Sequence, residues 1–181
     1  YVNLGTCNDK IIGARLKTFD IDEIANTGNY SFLYSTSLKN VTCSSGDIHG
    51  DSLMAYKAVA YNYNNDGQVA KTSYTLRVLG EGILDETLIY TNPISKSTTV
   101  FRFKIVVLNW NAELGVFYYT RCSDFGKSDA DSRTIVVSAC SANNEDAQEL
   151  ASSWAEGDLK AGFKGPALSE LPQCSCFFRF K

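Results

Sequence analysis

The chain has 181 residues, of which 44% are hydrophobic and 20% charged, and its formal net charge is -3. This composition is that of a globular protein, and the length fits one domain over residues 1–181. Dense Lys and Arg surfaces hold nucleic acids, so the slightly acidic balance argues against such a partner. No apolar run approaches the roughly 20 residues that cross a bilayer, so we predict a soluble protein without membrane insertion.

Alternation of apolar and polar residues is the dominant pattern in the first half of the chain. It begins in residues 26–36, where Tyr30, Phe32 and Tyr34 share one face. Residues 53–63 form a second extended segment and residues 69–79 a third, and Asp66-Gly67 between them is typical of a hairpin turn. These patterns predict antiparallel strands.

Further strands are predicted in the second half of the chain, each bounded by turn-forming residues. They cover residues 83–90, 98–110, 115–122 and 133–139. Residues 98–110 are too long for one ordinary strand, which leaves either two strands or one long bent strand.

One segment has the periodicity of a helix. Between Asp146 and Asp158 the apolar residues follow the i, i+3, i+4, i+7 pattern, with Asn143 or Asn144 as N-cap and Gly157 as the stop. Sheet closure removes unpaired edges, so we expect an all-β fold: an eight-stranded antiparallel up-and-down β-barrel with one C-terminal α-helix packed outside.

Two stretches carry motifs that are more specific. FDIDEIANTGNY contains Gly28 and Tyr30, and VVLNWNAELGVFYYTRC contains Asn109, Trp110 and Cys122. The first resembles the N-terminal turn and Gly-x-Trp motif of the lipocalin family, and the second resembles that family's hairpin whose last strand ends in Cys. The likeness is to the invertebrate secreted branch of bilin carriers, carotenoid carriers and salivary lipocalins, and it implies a ligand-carrying barrel.

The chain has six cysteines without the spacing of a zinc site, which favours disulfides. Residues alone allow many pairings, and the lipocalin resemblance selects among them. The pairs it implies are Cys7 with Cys122, Cys43 with Cys174 or Cys176, and Cys140 with the remaining tail cysteine.

Three features favour a secreted, extracellular protein. Disulfides persist outside the cytosol, and the chain begins at Tyr1, as a secreted protein does after its signal peptide is removed, although a trimmed chain would look the same. Asn29-Tyr30-Ser31 and Asn40-Val41-Thr42 are N-glycosylation sequons. The second lies in loop-like sequence, so we predict Asn40 as the glycosylation site.

Strand parity gives the candidate ligand-binding residues, which combine large rings with small alanines. They are Phe32, Tyr34, Met54, Tyr56, Ala58, Asn62, Tyr74, Leu76, Phe101, Phe103 and Tyr118. The rings either line a slot or fill the barrel. Apolar clefts with a few hydroxyls are the usual ligand sites, so we predict a pocket.

We therefore predict a carrier of a small hydrophobic ligand bound without a covalent bond. Tyrosine rings stack on conjugated systems, which favours a pigment such as a bilin or a carotenoid. The alternative is a barrel with a filled interior that inhibits another protein through its outer loops, above all residues 37–51. The sequence leaves self-association open.

Neither catalysis nor metal binding is expected. His49 is the only histidine, and nothing beside it supplies the partner that a metal-bound imidazole needs. The turn at residues 62–67 superficially resembles a calcium loop, but Ser73 stands where the bidentate acid belongs. Cys43 in a disulfide would be no nucleophile.

Overall fold

The structure is a computed structural model that describes residues 5–38, 40–51, 55–92, 94–126, 131–138 and 141–174. Most of these residues lie in strands. The elements in chain order are α1 (Asp9–Gly13), α2 (Ile21–Thr27), β1 (Asn29–Ser35), β2 (Val41–Asp51), β3 (Ala55–Asn64), β4 (Val69–Gly80), β5 (Ile83–Thr91), β6 (Thr98–Asn111), β7 (Val116–Cys122), β8 (Ser132–Ser138), α3 (Glu145–Asp158) and β9 (Ser169–Glu170).

Eight strands form a closed antiparallel barrel. Strands β1 to β8 pair in chain order, and β8 returns to pair with β1. The two-residue strand β9 adds to β1 at Tyr34 and Ser35. The predicted eight-stranded up-and-down barrel is confirmed, and its closure leaves no strand of the eight with an unpaired edge.

Two sequence predictions concern the hairpin of β3 and β4 and the number of strands in residues 98–110. Strands β3 and β4 pair as predicted, and Gly67 in their turn has a φ of 84°, which favours glycine. Residues 98–110 belong to one strand, β6, whose pairing with β7 shifts between Val107 and Asn109. The bulge bends this strand, so the chain makes one long strand there and not two.

Strand β2 corrects the prediction that residues 37–51 form a loop. Residues 41–51 form a strand that pairs with β3, and residues 45–47 also pair with β1 on the other side. Serine and glycine give this segment a weak strand signal, and tertiary pairing decides its conformation. Gly46 is required there, because a Cβ atom would lie 2.9 Å from the Val59 carbonyl oxygen.

Helix α2 covers one end of the barrel. Its residues Ile21 and Ile24 are buried in a cluster with inward side chains of the strands. The Tyr30 hydroxyl donates to the Ile24 carbonyl, the Tyr56 hydroxyl donates to Asp22, and Trp110 Nε1 donates to Glu23 Oε2 at 2.9 Å. Aromatic side chains from three strands therefore hold α2 in place.

Helix α3 packs outside the barrel, as predicted. Asn144 is its N-cap and accepts a hydrogen bond from Ala147 N at 3.2 Å. Ala147 and Ala151 are fully buried against outward residues of β7 and β8. Among the described residues, no helix combines the length and apolar character that a bilayer crossing needs.

Two disulfides join distant parts of the chain. Cys7 is bonded to Cys122 at the end of β7, with 5.1 Å between Cα atoms, and Cys43 of β2 is bonded to Cys174, with 5.2 Å. Both agree with the pairing that the lipocalin resemblance implied. Cys140 and Cys176 lie outside the described residues, so the third pair stays a prediction.

Candidate functional site

A cavity of about 170 Å³ lies inside the barrel. At the α2 end its wall is apolar and includes Phe19, Ile21 and Ile24. Toward the opposite end the wall carries hydroxyl and amide groups. These belong to Ser35, Ser37, Ser44, Asn62 and Thr134. The cavity therefore offers an apolar floor and a polar upper part.

Small residues on β3 leave this space open. Ala58, Ala60 and Asn62 point inward and line the cavity, yet each remains partly exposed. On the opposite wall, Phe117 is stacked with Phe19 at 5.6 Å between ring centroids and with Tyr119 at 5.1 Å. One side of the lumen is thus filled by rings, and the other is left vacant by alanines.

A charged pair lies in the cavity wall. Arg121 Nε of β7 lies 2.8 Å from Glu86 Oε1 of β5, and Arg121 Nη2 donates to Glu86 Oε2 at 3.1 Å. The pair is therefore held by one hydrogen bond and by a close charge contact, and Nε and Oε1 are buried without a hydrogen-bond partner among the described residues.

Aromatic rings fix the position of Arg121. Its guanidinium carbon lies 5.6 Å from the centre of the Tyr74 ring and 5.8 Å from the centre of the Phe103 ring. Phe103 in turn packs with Phe101 and Leu88, which fill the neighbouring part of the lumen. The barrel interior is therefore partly packed and partly hollow, and the charged pair stands at the border.

Burial changes the acid–base behaviour of this wall. Burial raises the pKa values of the Tyr74 and Tyr119 hydroxyls, although the charge of Arg121 opposes the shift. For Arg121, burial is the largest single influence and acts to lower the pKa, but the Glu86 carboxylate and the Tyr119 and Tyr74 hydroxyls together outweigh it, so the pKa lies above its ordinary value. At neutral pH the wall presents neutral phenols and a permanent guanidinium cation.

The structure places eight of the predicted ligand residues on the inner face of the barrel. Five of them line the cavity, namely Phe32, Ala58, Asn62, Tyr74 and Leu76. Three others lie in packed parts of the lumen: Tyr56 against α2, and Phe101 and Phe103 beside Leu88. Whether any of them contacts a ligand stays a prediction. Met54 lies outside the described residues.

The inward placement predicted for Tyr34 and Tyr118 is wrong. Both side chains pack in the outer cluster beneath α3, and the Tyr118 ring is stacked with Trp154 at 6.2 Å. A bulge between Phe32 and Tyr34 reverses the parity of β1, so that Ser35 faces inward in place of Tyr34. On β7 the inward residues are Phe117, Tyr119 and Arg121, one position away from those expected.

Glu86 and Arg121 were not among the residues predicted from the sequence. In the segment Leu84 to Leu88, Glu86 shares its face with two buried leucines, so strand parity alone places an acid inside the barrel. A buried carboxylate requires a partner, and Arg121 is the cation on the inward face of β7. The signal was therefore present in the alternation of β5.

Metal-binding geometry does not occur in the part of the chain that the structure describes, where no group of three or more His, Cys, Asp or Glu side chains could hold an ion. His49 lies on β2, its side chain is 71% exposed, and its Nδ1 is 3.8 Å from Asp47 Oδ1.

No family model and no curated protein matches the sequence. Solved structures do match. The major allergen Per a 4 from cockroaches shares 10% identity over 98% of this chain and 99% of its own, with a TM-score of 0.66. The amine binding protein of Rhodnius prolixus, solved with tryptamine, shares 12% sequence identity with this chain. The match covers 93% of this chain and 86% of that protein, with a TM-score of 0.61. Lobster apocrustacyanin A1 shares 13% sequence identity with this chain, and the match covers 96% of this chain and 92% of that protein, with a TM-score of 0.55.

These likenesses, together with the closed eight-stranded barrel and the helix outside it, define the fold. The chain has the lipocalin fold, and the resemblance found in its sequence is confirmed at that level. At such low identity the comparison establishes architecture, so function must be argued from the cavity itself.

Proposed function

We propose that this protein is an extracellular carrier that holds a small, largely apolar ligand inside its barrel. The observation that carries the proposal is the cavity between α2 and the hydroxyl groups of the opposite end. A concave apolar space with a few convergent polar groups is the usual form of a ligand site. Two proteins of similar structure were solved with small molecules, tryptamine and leukotriene C4.

The cavity volume limits the ligand. A cavity of roughly 150 Å³ holds benzene, whereas pockets for drug-sized ligands measure about 300 to 1,000 Å³. At about 170 Å³, this cavity fits a molecule with one or two rings. A bilin or a carotenoid, the pigment class favoured by the sequence, would leave most of its length outside this cavity.

The extracellular location rests on disulfides. Bonds such as Cys7–Cys122 and Cys43–Cys174 persist in oxidising compartments and are rare in the cytosol. Asn40 is exposed between β1 and β2, which suits the predicted glycan, whereas Asn29 is paired with Asp47 at the start of β1. We keep Asn40 as the predicted glycosylation site.

The alternative is a barrel with a filled interior that inhibits another protein through its outer loops, above all residues 37–51. Most of that segment is strand β2, which pairs with β3 and, at residues 45–47, also with β1, so it forms barrel wall and not an outer loop. The carrier function has the stronger support.

Two measurements test the carrier function. An organic extract of the native protein, analysed by mass spectrometry, should contain a small molecule in stoichiometric amount, and an empty extract would count against the carrier. Ala60→Trp should fill the cavity and abolish loading, because Ala60 lines it from β3. Ser73→Trp is the matched control, since Ser73 is exposed on β4 and does not line the cavity.

A further inference from the structure

The charged pair in the cavity wall bears on which ligand the barrel accepts. We propose that Glu86 and Arg121 select a ligand whose polar end is an uncharged hydrogen-bond acceptor, such as a carbonyl, over the corresponding carboxylate or amine. This inference rests on the proposed carrier function. It assigns the two residues the role of specificity determinants.

Arg121 is the member of the pair that a ligand meets. Both residues line the cavity, but the Arg121 side chain is 25% exposed and that of Glu86 only 5%. Glu86 engages Nε and Nη2 of the guanidinium, and among the described residues no acceptor is bonded to Nη1. A guanidinium only donates hydrogen bonds, so the ligand group placed there must be an acceptor.

The charges of the pair favour a ligand with a neutral acceptor over a ligand with an anionic one. The pair already has no net charge, so a ligand carboxylate at Arg121 would bring a second anion close to Glu86, whose own side chain is only 5% exposed. Like charges in such a site destabilise each other strongly. An uncharged carbonyl accepts the same hydrogen bond without that repulsion.

An amine is disfavoured for a different reason. The Arg121 guanidinium would repel it, and the Glu86 carboxylate is already paired with Arg121. Asp47 also borders the cavity, but strand parity puts its side chain on the face of β2 opposite Gly46 and Ile48, and its Oδ1 lies 3.8 Å from His49 Nδ1.

The donor is also held in place before a ligand arrives. Glu86 and the rings of Tyr74 and Phe103 surround the guanidinium, which reduces the ordering that binding requires. Along β7, Phe117 and Arg121 are four residues apart, about 13 Å at the usual rise of a strand. A ligand with a ring beside Phe117 and a carbonyl directed at Arg121 matches this spacing.

Three indole compounds of similar size represent the three kinds of polar group. Indole-3-acetamide carries an uncharged acceptor, indole-3-acetate a carboxylate and tryptamine an amine. Their dissociation constants would be measured by isothermal titration calorimetry at neutral pH on delipidated protein. The uncharged amide should bind roughly tenfold or more tightly than either ion. In Glu86→Gln, indole-3-acetate should bind more tightly than indole-3-acetamide, because Arg121 then lacks its anionic partner. In Arg121→Gln, the affinity for tryptamine should rise relative to the affinities for the other two compounds, because the Glu86 carboxylate then lacks its cationic partner.

Asp124→Asn is the matched control, since Asp124 forms an exterior pair with Lys104 at 2.8 Å and should leave the order of affinities unchanged. Naphthalene, an uncharged fluorescent molecule with two rings and no polar group, fits the cavity volume and reports on the cavity independently of the charged pair. If the probe binds but the three indoles bind equally, or not at all, the selection by the pair is refuted and the carrier function stands. If the probe does not bind either and the native extract is empty, the carrier function fails and the inference fails with it.

Discussion

Arg133 and Asp158 form an ion pair in which neither side chain has exposed surface, with 2.6 Å between Nη2 and Oδ2. Arg133 lies on β8 and Asp158 is the last residue of α3. The guanidinium also donates to the carbonyl oxygens of Lys164 and Pro166, each at 2.9 Å, and the Tyr118 hydroxyl donates to Asp158. This network joins the end of α3 and the segment after it to the barrel.

Asp158→Ala should destabilise the protein by about 3–5 kcal/mol, because it leaves the buried Arg133 guanidinium without an anion. The free energy of unfolding would be measured in urea. Asp124→Ala removes one partner of the more exposed pair with Lys104 and should cost no more than about 1 kcal/mol. Equal losses in the two variants would show that Arg133 does not depend on Asp158.

The protein should lose stability in alkaline solution. Burial raises the pKa values of Tyr74, Tyr118 and Tyr119 above 10.0, and for Tyr118 the hydrogen bond to Asp158 adds to the effect. Unfolded tyrosines release their protons near pH 10 while these three keep theirs in the folded state. Their contribution is therefore fully present below about pH 10 and is lost as the pH rises further.

Each such tyrosine should steepen the loss by up to about 1.4 kcal/mol per pH unit. The free energy of unfolding would be followed from about pH 8 to about pH 12. Tyr118→Phe should reduce the slope above pH 10, and a slope that does not change would contradict the role given to this hydroxyl.

The architecture was predictable because it depends on periodicity. The alternation in residues 69–79 and the apolar stripe of Ala147, Leu150 and Ala151 are local signals, and both elements form as expected. Strand β2 was not predictable in this way, since serine and glycine carry little strand propensity and its conformation comes from its two neighbours.

The site was less predictable because parity changes at bulges. Phe32 lines the cavity, but Leu33 is the extra residue of the bulge, and the next ring, Tyr34, points outward under α3. No single-sequence pattern locates such an insertion, because the bulge is defined by the register with β8. In β5 there is no bulge beside Glu86, so parity alone could have identified this buried carboxylate.

The two disulfides should each contribute substantially to stability. They join residues 115 and 131 positions apart, and closing such loops is worth about 4–5 kcal/mol each in the chain-entropy model. Cys7→Ser with Cys122→Ser, and separately Cys43→Ser with Cys174→Ser, should lower the free energy of unfolding by similar amounts. Urea unfolding with and without a reducing agent would check this, and a reduced protein as stable as the oxidised one would refute it.

Neighbouring rings on β7 provide the sharpest test of which face forms the site. Phe117 lines the cavity, and Tyr118 packs outside against Trp154. Removing either large ring from its packed surroundings should cost about 3–5 kcal/mol. Only Phe117→Ala also enlarges the cavity, so this variant should bind naphthalene more tightly than the unmodified protein does, whereas Tyr118→Ala should leave the affinity unchanged. Fluorescence titration at a temperature where both variants are folded separates the two effects, and a Tyr118→Ala affinity altered as much as that of Phe117→Ala would mean that the ligand does not occupy the lumen.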